Sequence, residues 1–327
     1  MASDAGADPK RVNIIFAEGT GSFVVLLEIA KAQAFFAKRG IEVHTLPRRG
    51  AAVPRLSDEA PLGLIGAPAA LLQLADGADL KLIATLSTTN LSGYLVAQPG
   101  IKASADLRGK RLGVRVIGAG IWISTMLALE QLQLDALRDD ITMVPVGSPA
   151  EIFRALVQGA IDGALVTPAQ SRELESKGFS VLLRDYPAGI TSFDGVLAAR
   201  TDYLAAHADV VERVTAALIE ALAFGLNSKN HSEVMKAFEV SLRITDAGTA
   251  SDNLRELWRK PYPLLPTLQR MRRIIGTHDA RVLDIPLESL IDDRFVRALD
   301  QAGTIDALYR THGASINPGQ PKIDVAR

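Results

Sequence analysis

The segment from Asp106 to Leu134 constrains this chain more than any other. Asp106-Leu107-Arg108-Gly109-Lys110 is a polar, glycine-bearing turn, Arg111 to Val116 is a strand, Gly118-Ala119-Gly120 is a loop, and Trp122 to Leu132 carries apolar residues at helical spacing. Glycines where a strand feeds a helix let the backbone approach a ligand with no Cβ in the way. The free amides of the first helical turn favour a negative charge there. Either a ligand or simple close packing accounts for glycine at such a turn, so the rest of the chain has to decide.

The same unit recurs on both sides of it. Arg11 to Ala17 is a strand, the loop Glu18 to Ser22 leads into a helix over Phe23 to Lys38 ended by Gly40, and Ile41 to Leu46 is the next strand. Leu62 to Ile65, a helix opened by Gly66-Ala67-Pro68-Ala69, and Leu80 to Leu86 repeat the order, and short joins predict right-handed crossovers with parallel pairing. Gly93 to Gln98, followed by Pro99-Gly100, reads as the crossing into a second lobe. There Ile141 to Val146, a helix over Ala150 to Gln158, Ile161 to Val166, a helix to Lys177, and Val181 to Arg184 continue the alternation. Phe193 to Arg200 is placed to return to the first lobe. Helices then follow at Val210 to Asn227, Glu233 to Leu242, Ala250 to Trp258, Leu268 to Ile275, Asp293 to Ala302 and Ile305 to Tyr309, expected to pack outside the first lobe. The expected organisation is lobe I over 10–95 and 195–327, lobe II over 96–194, and a cleft between them.

Composition excludes several functions. Among 327 residues the formal charge is −1, so no global field recruits nucleic acid or an anionic membrane. With no cysteine there are no disulfides, thiolate nucleophiles or thiolate metal sites. The start, Met1 to Pro9, is small and polar rather than a basic stretch followed by an apolar core, and no window reaches the roughly 18 apolar residues of a membrane span. The five histidines lack the spacing of a metal site, no Gly-x-Ser-x-Gly elbow occurs, and Gly118-Ala119-Gly120 lacks the later glycine of a dinucleotide loop. Neither a metal nor another cofactor is expected. Arg270, Arg272 and Arg273 form a basic cluster that reads as a solvated helix face.

Ligands of open α/β sheets sit outside the carboxyl ends of the strands. The candidates there are Glu18, Thr20, Ser22 and Phe23 in the first loop, Ala67 and Pro68 in the second, and Thr88, Thr89 and Asn90 in the third. Gly118, Ala119, Gly120 and Trp122 face them, with Ser148 and Thr167. Phe23, Trp122 and Phe193 would form an aromatic wall with polar donors fixing one end of a ligand. The hydroxyls are either donors or helix caps, and Trp122 is either wall or core. Arg115, inside a strand, either meets a ligand carboxylate or sulfonate or turns outward.

Four segments in order carry a resemblance. Phe35 to Val43 resembles "F-x-K-x-G-I-x-V", Asp106 to Val114 "D-L-K-G-K-x-V-G-V", Leu156 to Ala164 "L-x-x-G-x-I-D-A", and Leu204 to Val211 a helix start in which Pro usually follows the His. They are similar to the periplasmic substrate-binding proteins of the sulfonate, taurine, nitrate and thiamine-precursor type. The resemblance implies an α/β, two-lobed type 2 periplasmic-binding fold, each lobe a mostly parallel sheet flanked by helices, with two hinge crossings. It also implies a monomeric, non-enzymatic periplasmic protein whose export signal has been removed. Such a protein holds a small-molecule ligand and hands it to the permease subunits of an ABC importer. A small organic acid, aromatic or a sulfonate, is the expected ligand. Pro68 stands where the family often has Ser or Thr, and the missing cysteines argue against the pyrimidine-synthase activity of one relative. An enzyme of the same fold and a ligand-sensing module are the competing expectations.

Overall fold

The structure is a computed structural model that describes residues 9–17, 21–48, 54–90, 93–118, 120–184, 191–255, 257 and 259–313, with backbone alone at 88–90, 191–194, 252 and 255. It contains two five-stranded sheets. The first, in the order β2-β1-β3-β10-β4, joins β1 (Lys10–Ala17), β2 (Ile41–Arg48), β3 (Leu62–Ile65) and β4 (Leu80–Asn90) to the late strand β10 (Thr191–Arg200). The second, in the order β7-β6-β8-β5-β9, joins β5 (Tyr94–Ala97), β6 (Arg111–Val114), β7 (Thr142–Pro145), β8 (Gly163–Val166) and β9 (Ser180–Leu183).

Pairing fixes how these sheets face each other. β1 is parallel to β2 and β3, while β10 is antiparallel to both β3 and β4. In the second sheet β6 is parallel to β7 and β8, and β5 is antiparallel to β8 and β9. Four strands of each sheet therefore point one way and one opposes them. The opposed strands, β5 and β10, begin at the edge where their neighbours end. Both lobe crossings, β4 to β5 and β9 to β10, thus connect carboxyl edge to carboxyl edge. From Asn90 to Tyr94 the chain reaches about 14 Å at most, so the two loop-bearing edges are held close together.

Five helices complete the crossovers: α1 (Val24–Ala32), α2 (Ala67–Ala75), α3 (Gly120–Gln131), α4 (Pro149–Val157) and α5 (Pro168–Ser176). α1 is shorter than the expected Phe23 to Lys38. It breaks because Ala34 takes a left-handed conformation (φ +57°) and the Phe35 amide reaches back to the Ala30 carbonyl at 2.8 Å, which turns Phe35 and Phe36 into the core. After β10 come α6 (Thr201–Ala206), α7 (Ala208–Gly225), α8 (His231–Leu242), α9 (Ala247–Arg255), α10 (Leu265–Gly276), α11 (Leu287–Leu290), α12 (Arg294–Gln301) and α13 (Thr304–His312).

α1, α7, α8 and α13 bury one face of the first sheet through Ile29, Val211, Leu218, Phe238 and Ile305. The other face belongs to a core that does not stop at the lobe boundary. It runs from Leu82, Val196 and Ala198 through Leu268 and Met271 of α10 to Trp122, Leu127, Leu112 and Val114 of the second lobe. The expectation that the late helices pack on the first lobe therefore needs correction for α10, which touches both. Chain from the same region also covers the outer edge of the first sheet. The Thr85 amide donates to the Pro261 carbonyl at 2.8 Å, and Leu82 bridges to Ile291, which leaves less of β4 open to pairing with other chains.

The motifs that carry the family resemblance are explained by backbone needs. Asp162 accepts from the Arg111 amide at 2.8 Å and from the Arg111 guanidinium at 3.0 and 3.1 Å, clamping the start of β6 to the turn before β8. Asp106 accepts from the amides of Lys102 and Ala103 at 2.9 Å each, and Gly40 (φ +65°) makes the left-handed turn into β2. The Arg111 guanidinium holds the Asp162 carboxyl below its usual range. The Asp162→Asn variant should lose about 1–3 kcal/mol of stability at neutral pH. A depressed carboxylate stabilises above its unfolded-state pKa, so the difference between wild type and variant should shrink as pH falls below about 4. Urea unfolding midpoints at pH 7 and pH 3 check both parts.

Candidate functional site

The carboxyl ends of β6, β7 and β8 lie along one edge of the second sheet and deliver Gly118, Ser148 and Thr167 to it. The matching edge of the first sheet delivers Ser22 and Phe23 after β1, Ala67 and Pro68 after β3, and the ends of β4 and β10, which pair as Thr88 with Phe193, Thr89 with Ser192 and Asn90 with Thr191. Side chains at 88–90 and 193, and all of Glu18, Thr20 and Ala119, lie outside the described residues.

The loop after β6 meets the first lobe at Gly118. Gly118 has φ +84°, and a β-carbon on it would lie 2.8 Å from Leu72 Cδ1 and 4.0 Å from the Ala69 α-carbon. The loop after β6 is therefore seated on the first turns of α2, and α3 begins two residues later at Gly120. Gly66, the residue before α2, offers no side-chain cap, and Ala67 and Pro68 are buried in its first turn. Two helix amino termini meet at this junction, each with the positive end of its dipole. The sequence places Gly118, Ala67 and Pro68 on facing loops; in the structure Gly118 lies against Leu72 and Ala69 of the helix whose first turn holds Ala67 and Pro68.

Other candidates are placed differently. Phe23 is 4% exposed and Trp122 0%, and they belong to different cores, so the expected wall containing both is not formed. Phe23 is held against Gly21 and Gly195, where a β-carbon on either would overlap its ring, at 2.0 and 2.1 Å. Trp122 meets the His278 ring edge-on at 5.3 Å between centroids, in the core shared with α10. The hydroxyls of Ser148 and Thr167 act as helix caps, accepting from the amides of Glu151 at 3.3 Å and Gln170 at 3.2 Å, each within a reciprocal capping box. Both residues are exposed, so a ligand would compete with a capping bond for either oxygen. Arg115 is not inside a strand: β6 ends at Val114, and Arg115 stands half-buried one residue beyond it, on the edge that faces the other lobe.

Thr85 lies outside the candidate loops that the sequence marks, while Ser87 opens the third of them, the donor run Ser87 to Asn90. Both are buried on β4, and neither hydroxyl has a hydrogen-bond partner, a state buried polar groups rarely hold. Hydroxyls two residues apart in an apolar strand share a face, and that spacing could have marked them. Nε1 of Trp122 is likewise buried without a partner. Among the described residues no group of His, Asp and Glu is arranged to hold a metal ion, and no helix is long and apolar enough to cross a membrane. An open depression of about 450 Å³ lies at the opposite edge of the first sheet, lined by Asn13, His44, Asp58, Glu59 and Tyr203. Two charges that line it are partnered, Asp58 with Arg200 at 2.5 Å and Arg11 with Glu42 at 2.8 Å.

Adding a methyl group at Gly118 tests the junction. Gly118→Ala should cost about 1–2 kcal/mol from the left-handed backbone and should push the loop off Leu72. Lower thermal stability with a larger radius of gyration is the expected outcome, and an unchanged scattering curve would contradict the contact.

The chain is similar to several solved structures. The sulfonate-binding protein SsuA of a sulfonate ABC transporter from Methylobacillus flagellatus KT superposes with a TM-score of 0.65 at 21% identity, over 91% of this chain and 96% of that one. The alkanesulfonate-binding protein SsuA from Xanthomonas axonopodis pv. citri, bound to MOPS, gives 0.59 at 19% identity, over 88% and 100%. The desulfurization enzyme DSZB gives 0.57 at 18% identity, over 90% and 99%. These likenesses show the periplasmic-binding-protein fold, as the four motifs implied. No curated protein sequence matches the chain. A family model described as NMT1/THI5 like matches residues 22–230, more than half of the chain, and the protein belongs to that family.

Proposed function

We propose that this protein is a periplasmic solute-binding protein that captures a small organic anion between its lobes and hands it unaltered to the permease subunits of an ABC importer. The lobes are residues 10–95 with 195–327, and 96–194. The observation that carries the reading is the seating of the Gly118 loop on α2, which brings two helix amino termini from opposite lobes to one place. Positive dipole ends and free amides favour an anion, and an anion touching both lobes binds only when they are together. It therefore draws the hinge equilibrium toward closure by its differential affinity. Arg115, half-buried at the end of β6, supplies a full positive charge suited to a sulfonate or carboxylate.

Sulfonates head the candidate ligands because the SsuA proteins that this chain resembles bind them. The sulfonate fits the physical requirement: a spread negative charge takes several weak amide donors at once, and an organic tail adds apolar contact. Backbone amides and hydroxyls around Ser22, Ala67, Thr88, Asn90 and Gly118 are the proposed donors, with Thr85 and Ser87 behind them. The competing reading, an enzyme, draws on the likeness to DSZB.

A thermal-shift series with MOPS, ethanesulfonate, benzoate and nitrate separates these. A ligand at 100 times its Kd adds about 2.7 kcal/mol, several degrees of melting temperature for a chain of this size. The expected result is stabilisation by the organic sulfonates with the compound recovered unchanged by mass spectrometry. Release of sulfite or another product would replace transport with catalysis. The Arg115→Met variant should weaken the anion that binds by about ten- to a hundredfold, the worth of a charge-assisted hydrogen bond.

A further inference from the structure

α10 emerges from the first lobe yet lies along α3 of the second, and the contact has two parts. Near the cleft end Trp122 packs against His278; Met271, Ile274 and Ile275 of α10 belong to the same apolar patch between the lobes, in which Trp122, Met271 and Ile275 are each 0% exposed. Eight residues along α3, about 12 Å further on, Glu130 receives two arginines of α10. Arg270 reaches Oε2 at 3.3 Å and Arg273 reaches Oε1. Arg272, on the same helix, instead donates to the Ile285 carbonyl at 2.8 Å. Between these parts and the turn after α3 lies a cavity of about 270 Å³ over Met126, Leu129, Leu134 and Ile274.

We infer that the α3–α10 contact is the pivot on which the lobes turn, and that Glu130 is a positioning residue that sets how far they stand open. The apolar patch cannot separate without exposing Trp122 and its neighbours to water, so it stays closed in every state. The ion pairs sit at the rim, with Arg270 and Glu130 about three-tenths exposed. There, a change in the tilt of α3 alters their length at little cost in buried area. One carboxylate shared by two guanidinium groups of the other lobe holds that tilt at the closed value. Among the described residues Glu130 pairs with Arg270 and Arg273, outside the proposed anion site, so it acts on the ligand through lobe geometry, and this part rests on the binding-protein reading.

The chain contains no cysteine, so Arg172→Cys and Lys236→Cys, on exposed helices of the two lobes, give a specific pair of sites for energy-transfer dyes. In this labelled protein without ligand, Glu130→Gln should shift the transfer distribution toward longer distance, and Arg270→Gln with Arg273→Gln should give the same shift from the other side. Combining all three should add nothing, because the same contact is already gone. MOPS affinity should fall about three- to fivefold in each, the range of one or two half-exposed ion pairs. An unchanged ligand-free distribution would overturn the pivot. A shifted distribution with no MOPS binding in any variant would uphold the pivot and remove the sulfonate reading instead.

Discussion

Everything about the cleft follows from two strands that run against their sheets. β5 and β10 oppose the other four strands of the sheets they enter, so each begins where its neighbours finish. A connector only a few residues long can then join carboxyl edge to carboxyl edge. Had either strand run parallel, its connector would have had to travel the length of the sheet first, as a crossover does. The facing of two sets of helix-opening loops is therefore a result of strand direction, and it needs no contribution from any ligand.

Around that constraint the chain divides its labour. Charged motif residues hold the turns: Asp162 with Arg111, Asp106 with two amides, and Asp139 with Arg108 at 3.0 Å and Arg138 at 2.7 Å. Several are exposed at the side chain, and their value lies in fixing backbone amides more than in ion pairing as such. The loops at the facing edges carry few charges and many small residues. Glycine, alanine, serine and threonine there keep amides accessible and let Gly118 settle within contact distance of Leu72. An anion held by amides and dipole ends is recognised by shape and charge distribution, and the protein need not leave buried, fully charged groups facing each other when the cleft is empty.

The mechanics come from elsewhere in the chain. α10 and the strap around Pro261 return from the C-terminal third to brace structures built by the first half: α3 in one case, the edge of β4 in the other. A hinge made of two connectors alone would permit twisting as well as opening. A third contact that is apolar at one end and ionic at the other restricts the motion to one axis and gives it a resting angle.

The sequence alone determined the alternation of strands and helices, the placing of glycine turns, the two-sheet organisation and the family. These are written in local patterns: hydrophobic period, caps and turn residues act over a few positions and survive without knowledge of the partner. Gly40 and Asp106 could be read because their work is done on backbone close by in sequence, whereas Asp162 was legible only as part of a motif, its partner Arg111 standing 51 residues earlier. Only the tertiary structure decided which face each element presents and to what. Phe23 and Trp122 looked alike as aromatics at the start of helices, yet one lies on Gly195 in the first core and the other against His278 between the lobes. For Ser148 and Thr167 the sequence left donor and helix cap both open and the structure shows the capping bonds, while Thr85 and Ser87, inside an apolar strand, were left with buried hydroxyls unmatched. Arg270 and Arg273 read as a solvated face because their partner, Glu130, lies 140 residues or more away in sequence, on a helix of the other lobe. Such pairings depend on distances closed by the whole fold, and no local pattern records them.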